Sequence, residues 1–424
     1  MFLIAALNDL EILGADVQNA YINAKTSERI DFIAGPEFGS NQGRPCIIVR
    51  ALYGLKSSGT RWRDHMAAIL RELGFISSKA DPDVWMQKGL KPCGFEYWEY
   101  ALCYVDDILV LSHQPKMVMD AIAQGVTLKP GSVKAPDIYL GADIFQVTLH
   151  EGNQGLPMKQ VCAMSATRYV KRAIQEVENK LALQNAYLPK RVKTPLSSNY
   201  RPELDFSREL EGSQINYHPG LIGVLRWIVD LGRIDIIVPV SLLLRYMVSP
   251  RDGHLQQLYH IFAYLKPFNR SKLLFDDAEP TFPDSYFHES NWFEYYPDAK
   301  EPIPPNMPEA LGHSVSTTCF MDADHAGCRV TRQSQTGIIL YVSKAPITWY
   351  SKQQNTVESA PFGSEIIALK TAIDQIDGLH YKLRMFGIPL SGSTKVFFDN
   401  DAVGLNATHA ESTLCRKHTS IAYH

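Results

Sequence analysis

The run Ala101-Leu102-Cys103-Tyr104-Val105-Asp106-Asp107-Ile108-Leu109-Val110-Leu111 constrains this chain more than any other stretch. An apolar segment reaches two adjacent aspartates and leaves as a second apolar segment. This pattern reads as two buried strands joined by a turn, with both carboxylates at its tip. Two like charges side by side are costly to bury unless a cation neutralises them. Oxygen ligands of this kind suit a hard divalent ion, and Mg²⁺ first. For the pair alone, a solvated Asp-Asp turn is the plainer reading, because aspartate is common in turns.

A second apolar approach, Glu11-Ile12-Leu13-Gly14-Ala15, leads to Asp16. With Asp106 and Asp107 it predicts three carboxylates on neighbouring strands of one sheet. Between them lies Leu52-Tyr53-Gly54-Leu55-Lys56-Ser57-Ser58-Gly59, a loop opening into a helical stretch over 62–73. The ordered set of aspartate block, L-Y-G-L-K and Y-V-D-D resembles the reverse transcriptase of copia-type retrotransposons.

Length and composition bound that reading. A chain of 424 residues is too long for one core, so two or three domains are expected. A net charge of −3 carries no global nucleic-acid signature, so any such surface must be local. Seven cysteines without a C-x-x-C pair argue against a zinc knuckle or a disulfide framework, and fit an intracellular, reducing compartment, cytoplasmic or nuclear. The apolar N-terminus is short and lacks a basic flank, so no signal peptide is expected. The longest apolar stretch, 221–247, is interrupted by Arg226, Asp230, Arg233 and Asp235 and is no simple membrane span.

The resemblance implies an α+β and α/β multidomain fold. A right-hand polymerase palm with truncated fingers would take 1–155, and a helical thumb or connection-like region 156–276. A proline-rich linker would follow over 277–313, then a ribonuclease H-like mixed sheet with helices over 314–424. Within the first part, 30–33 and 46–51 read as strands and 117–123 as a short helix. Tyr139-Leu140-Gly141-Ala142-Asp143-Ile144 reads as a strand with a glycine bend. The family places its primer-gripping hairpin near there, making Leu140 and Gly141 candidates alongside an ordinary core strand. In the helical part, Ser165 is an expected N-cap. Tyr169, Val170, Ile174, Val177 and Leu181 recur at helical spacing. Lys171, Arg172 and Lys180 lie off that stripe, to hold phosphates or simply to face solvent. Arg233-Ile234-Asp235-Ile236 resembles a short R-P-D-I block of copia-type proteins, with Ile234 in place of proline.

The last part repeats the carboxylate pattern. A strand over 317–321 ends at Asp322, and further strands are expected over 337–342 and 347–350. Ser364-Glu365 is expected to open a helix, with Glu365 in its first turn facing the positive end of the dipole. Ile366, Leu369, Ile373, Ile376 and Leu383 would lie on one face of it. Lys395-Val396-Phe397-Phe398 leads to Asp399. Strand-end Asp, helix-start Glu and a second strand-end Asp resemble ribonuclease H. So do Asp322-Ala323-Asp324-His325-Ala326-Gly327, Ser351-Lys352-Gln353-Gln354 and Lys417-His418. The resemblance assigns metal ligation to Asp322, Glu365 and Asp399, with Asp324 competing for the first position. It puts His424 at the fourth catalytic position, with His418 or no residue as the alternatives. Ser420 stands where the family has an Asp, and Gly363 where it often has a second acid.

The chemistry implied is two-metal phosphoryl transfer. Asp16, Asp106 and Asp107 would hold two Mg²⁺ ions about 3.5–4 Å apart, with Mn²⁺ as a substitute. Tyr21 would lie under the incoming sugar, or else be a core tyrosine, and Tyr53 and Gly54 would floor the nucleotide pocket. The implied partners are an RNA template, a DNA primer, deoxynucleoside triphosphates and an RNA–DNA hybrid, with no membrane. The family has a basic fingers block before its first catalytic Asp, whereas here only fifteen residues precede Asp16. Weak primer extension is therefore expected, and a remnant that at most binds nucleic acid is the alternative reading.

Overall fold

The computed structural model describes residues 1–26, 28–149, 159–287, 294, 297–298, 301 and 303–408. They form two compact units. One comprises Met1–Pro136, Pro304–Ser314 and Tyr381–Pro389; the other comprises Asp137–Ile303, Val315–His380 and Leu390–His424.

The first unit contains α1 (Phe2–Leu7), β1 (Glu11–Asp16), α2 (Ala20–Asn23), β2 (Asp31–Ile33), β3 (Pro45–Ile47), α3 (Ser58–Glu72), β4 (Ile76–Ser77), β5 (Val84–Leu90), β6 (Glu96–Tyr104), β7 (Asp107–Ser112) and α4 (Pro115–Ile122). Its main sheet is antiparallel in the order β1-β7-β6-β5-β4. Ile108, Leu109, Val110 and Leu111 are all buried, so β7 is covered on both faces and reads as a continuous apolar run. Trp62, Met66 and Leu70 of α3 and Met119 and Ile122 of α4 pack with Ala101, Ile108 and Val110 in one core. Glu309 joins the same unit, its carbonyl accepting from Trp98 Nε1 at 2.9 Å.

The β6–β7 turn is strained. Val105 has φ of 55°, a left-handed conformation that a β-branched side chain disfavours. Its carbonyl accepts a hydrogen bond from the buried Trp62 indole, which holds the turn in place. Val105 is 39% exposed, so its side chain offers only partial burial in return. Val105→Asn is therefore expected to stabilise the chain by about 1 kcal/mol, because Asn tolerates this region. Denaturant unfolding checks it; an unchanged or lower midpoint would contradict the strain.

The second unit begins with β8 (Ile138–Tyr139), β9 (Ala142–Leu149) and β10 (Lys159–Ser165), which with β11 (Leu273–Phe275) form an antiparallel sheet ordered β11-β10-β9-β8. The expected glycine bend is a full chain reversal: Leu140 and Gly141 have φ of 48° and 83°, making a two-residue hairpin loop. Helices α5 (Thr167–Ala182), α6 (Ser213–Asp230), α7 (Ile237–Leu244) and α8 (Asp252–Leu265) follow. Ser165 ends β10 rather than capping α5, whose cap position is Ala166. Its hydroxyl instead donates to Ser271 O at 2.8 Å and accepts from Thr167 N at 3.2 Å. Between α6 and α7, the fully buried Arg233 grips Asp235 with two bonds of 2.9 and 2.7 Å. The R-I-D-I block is thus a buried ionic corner. Among the described residues no helix is long and apolar enough to cross a membrane.

The unit ends in β12 (Thr317–Asp324), β13 (Gln335–Val342), β14 (Ala345–Gln353), α9 (Pro361–Met385) as far as His380, β15 (Lys395–Phe397) and α10 (Asp401–Thr408). The sheet order is β14-β13-β12-β15, antiparallel except for the β12–β15 pair. Along β12, Cys319, Met321 and Ala323 are buried while Phe320, Asp322 and Asp324 are exposed, the period-2 pattern of a one-sided sheet. Phe282 and Phe287, near the start of the proline-rich segment, pack here. Phe282 lies 4.8 Å from the Phe397 ring, Phe397 stacks on Phe320, and Lys395 sits over Phe282 and Phe287. Helix α9 starts at Pro361, three residues before the expected Ser364, because proline supplies the φ of the first helical position and needs no N–H partner. Glu365 consequently lies beyond the first turn, and the helix dipole is not what positions its charge.

Candidate active sites

The first site is built on the β1–β7 ladder. Asp16 and Asp107 are direct partners in its antiparallel register, and Asp107 also faces Tyr104 of β6. Asp106, exposed, occupies the turn, and its carbonyl accepts from Val17 N at 2.7 Å. Burial, then the charges of Asp106 and Asp16, push the Asp107 carboxyl up to about 6. A group held that far from its ordinary value by burial and by neighbouring acids is one that a cation would stabilise.

Two elements complete the surroundings. Tyr21, on α2, and Tyr53, in the loop before α3, have ring centroids 4.4 Å apart. Burial, then the Asp106 charge and Tyr21, push the Tyr53 phenol upward, which places it in the field of the turn carboxylate. Gly54 has φ of +98° and open space around it, so the loop turns where an L side chain would be strained. On the other edge, the segment 127–134 runs beside β1. Lys129 N donates to Asp16 O at 2.8 Å, Asp16 N donates to Ser132 Oγ at 3.1 Å, and Lys129 Nζ lies 3.6 Å from Asp16 Oδ2.

The second site gathers Asp322 from β12, Glu365 from α9 and Asp399 just beyond β15. One ligand oxygen from each lies within 4.8 Å of the others. Among the described residues this is the cluster of three or more potential metal ligands that close so tightly. Asp16, Asp106 and Asp107 do not converge to that degree among the described residues; Asp106 faces solvent, and Asp16 has Lys129 Nζ 3.6 Å away. Glu365 is 5% exposed, and its Oε2 is buried without a hydrogen-bond partner. Burial, then the charges of Asp322 and Asp399, push its carboxyl up to about 7, with the Ala323 N–H working the other way.

Asp324 stands outside the cluster. Its carboxylate fills the space that a Cβ at Gly327 would need. The Glu358 carboxylate likewise sits where a Cβ at Gly363 would be. Ser364 gives its hydroxyl proton to Pro361 O, so His325 Nδ1, 3.2 Å away, donates to Ser364 Oγ. His418, Ser420 and His424 lie outside the described residues.

With this geometry, two carboxylate centres occur in one chain, and residues 1–177 match the family described as Reverse transcriptase (RNA-dependent DNA polymerase). The similarity extends well past that segment. Over 416 residues, 96% of the chain, it is 24% identical to the Retrovirus-related Pol polyprotein from transposon RE1 of Arabidopsis thaliana. Along nearly its whole length the chain is similar to retrotransposon Pol polyproteins. It is 25% identical over 354 residues to a putative transposon Ty5-1 protein of Saccharomyces cerevisiae, covering 82% of this chain and 94% of that protein. A Pol polyprotein from transposon TNT 1-94 of Nicotiana tabacum is 23% identical over 403 residues, 89% of this chain. The chain spans about a quarter of the length of the two Pol polyproteins named here, 24% and 26%.

Sequence reasoning passed over Lys129 and Ser132. A signal was present: Val126-Thr127-Leu128-Lys129 alternates apolar and polar after Gly125, as a short edge segment does. Trp62 was noted only as part of a helix, although its indole fixes the aspartate turn.

Proposed function

We propose that this chain is an RNA-directed DNA polymerase with ribonuclease H, working by two-metal phosphoryl transfer. The single observation that carries the reading furthest is Glu365: a buried carboxylate with an orphaned oxygen, between two further acids. An all-oxygen set of three carboxylates, one pushed up to about 7 by burial and then by its neighbours, fits a hard divalent cation such as Mg²⁺ or Mn²⁺. The first site fits the same ions through Asp16, Asp106 and Asp107, with Asp107 pushed up to about 6. Bound there, the ions would activate the attacking oxygen and neutralise charge on the phosphate and leaving group.

In this reading, 1–155 is the palm, 156–276 the thumb and connection, 277–313 the linker and 314–424 the ribonuclease H domain. At the palm, Asp16 and Asp107 orient the primer terminus from opposed strands. The turn strained at Val105 holds Asp106 out toward the triphosphate. Tyr53 and Gly54 floor the nucleotide pocket, and the Tyr21 ring packs against the sugar, where it rejects a ribose 2′-hydroxyl. The substrates are an RNA template, a DNA primer and deoxynucleoside triphosphates. At the second site, Asp322, Glu365 and Asp399 surround the scissile phosphate of the RNA strand in a hybrid, with water as nucleophile.

The test is the activity of the chain itself. With Mg²⁺ or Mn²⁺ it should extend oligo-dT on poly-A, even if slowly, and release fragments from the RNA strand of a hybrid. A folded chain that binds Mn²⁺ and does neither contradicts the proposal.

A further inference from the structure

Directly across the β12–β13 ladder from Asp322 stands Gly337. Glycine inside a strand weakens it and gives it nothing to pack. The backbone does not require glycine here, since Gly337 lies outside the positive-φ residues. Nor do the neighbours: a Cβ would meet nothing nearer than Asp322 O, at 4.0 Å. A strand glycine without a local reason marks a place where something else approaches the backbone.

The space above Gly337 belongs to a cavity of about 160 Å³, lined also by Asp322, Arg201, Arg245, Ser351 and Gln353. That is about five water molecules, roughly the room of one sugar with its phosphate and without the base. Helix α7 forms the facing wall and is fastened to the sheet. Ser241 Oγ donates to Ser351 O at 2.9 Å, and Gln335 Nε2 donates to Ser241 Oγ at 3.1 Å and to Ser351 Oγ at 2.8 Å. Arg245 follows at the C-terminal end of α7. Of the other acids on the lining, Glu203 Oε1 accepts from Arg329 N at 3.0 Å, and the exposed Asp324 carboxylate lies over Gly327. Guanidinium groups take a phosphate in two-pronged fashion, and serine and glutamine suit a 2′-hydroxyl, the group that tells RNA from DNA.

We propose that this cavity is a subsite for one sugar–phosphate unit of the RNA strand. The unit lies over Gly337, with its phosphate on Arg245 and Arg201, adjoining the Asp322 end of the carboxylate cluster. The inference rests on the ribonuclease H reading of that cluster and adds to it a wall supplied by the helical region.

The test uses the full chain carrying Gly337→Val, with hybrid cleavage and hybrid binding measured together. Valine favours a strand, so the melting temperature should hold or rise. Cleavage should nevertheless fall at least about tenfold, because the valine side chain occupies the subsite. Arg245→Ala should raise KM for the hybrid about tenfold with kcat little changed, and Arg245→Lys should recover part of it, as expected for a charged contact to phosphate. Wild-type cleavage matched by both Gly337→Val and Arg245→Ala would overturn the subsite while leaving the cluster assignment standing. A wild-type chain that cuts nothing, yet loses hybrid binding on Gly337→Val, would support the subsite while the ribonuclease reading falls.

Discussion

Glu365→Gln is expected to make the metal-free chain more stable at pH 8 while abolishing cleavage of an RNA–DNA hybrid. The sign follows from linkage. The Glu365 carboxyl is pushed from 4.5 up to about 7 in the folded chain, by burial first and then by Asp322 and Asp399. Below pH 4.5 the folded and unfolded states both carry the proton, and Glu365 costs nothing. Between 4.5 and about 7 the unfolded chain releases the proton while the folded chain keeps it, so stability is lost as pH rises. Above 7 the loss is complete, on the order of 2–3 kcal/mol from the size of the shift. Glutamine carries no such charge, so the melting transition should rise by several degrees at pH 8 and match the parent at pH 4. Added Mg²⁺ or Mn²⁺ should stabilise the parent more than the variant, and increasingly so as pH passes 7, since protons compete with the metal for Glu365. A variant that melts lower than its parent at pH 8 would mean that Glu365 is an ordinary buried acid with partners.

Asp107→Asn is expected to lower primer extension at least about a hundredfold, because charge neutralisation at the reacting phosphate is worth several kcal/mol. The effect should be specific. Asp107 is half-buried between Asp16 and Tyr104 in the ladder, and asparagine keeps its shape, so folding should survive. Hybrid cleavage, which depends on the other unit's carboxylates, should remain. Extension by the parent should also rise with pH through about 6, as the Asp107 carboxylate becomes available to metal. Equal extension by Asp107→Asn and the parent would remove this site from the mechanism.

How much of this was legible in the sequence differs from element to element. The strands carrying Asp16, Asp107 and Asp322 show plainly, because each is an apolar run ending at, or beginning from, a carboxylate. The β12 alternation is likewise visible, since one face is buried and the other is not. The start of α9 lies three residues before the expected Ser364, because Pro361 supplies the fixed φ of a first helical position. The Leu140-Gly141 reversal was underestimated because Leu140 adopts a positive φ that propensity does not suggest. Lys129 and Ser132 were missed because their role is made by pairing with β1, more than a hundred residues earlier, and no local pattern encodes such a partner. Gly337 was read only as the first residue of a strand. Its place opposite Asp322 depends on register, which appears once the strands are paired.

The central claim is that Asp322, Glu365 and Asp399 form a metal-dependent nuclease centre. The most direct measurement is cleavage of an end-labelled RNA–DNA hybrid by the full chain with Mn²⁺, for the parent and for Asp399→Asn. Asp399 is exposed and can lose its charge without disturbing the core. The account predicts that the parent cuts the RNA strand and leaves the DNA strand whole, and that Asp399→Asn, folded and equally able to bind the hybrid, cuts nothing. A folded, Mn²⁺-binding parent that leaves the RNA intact, or an Asp399→Asn chain that cuts as fast as the parent, would contradict it.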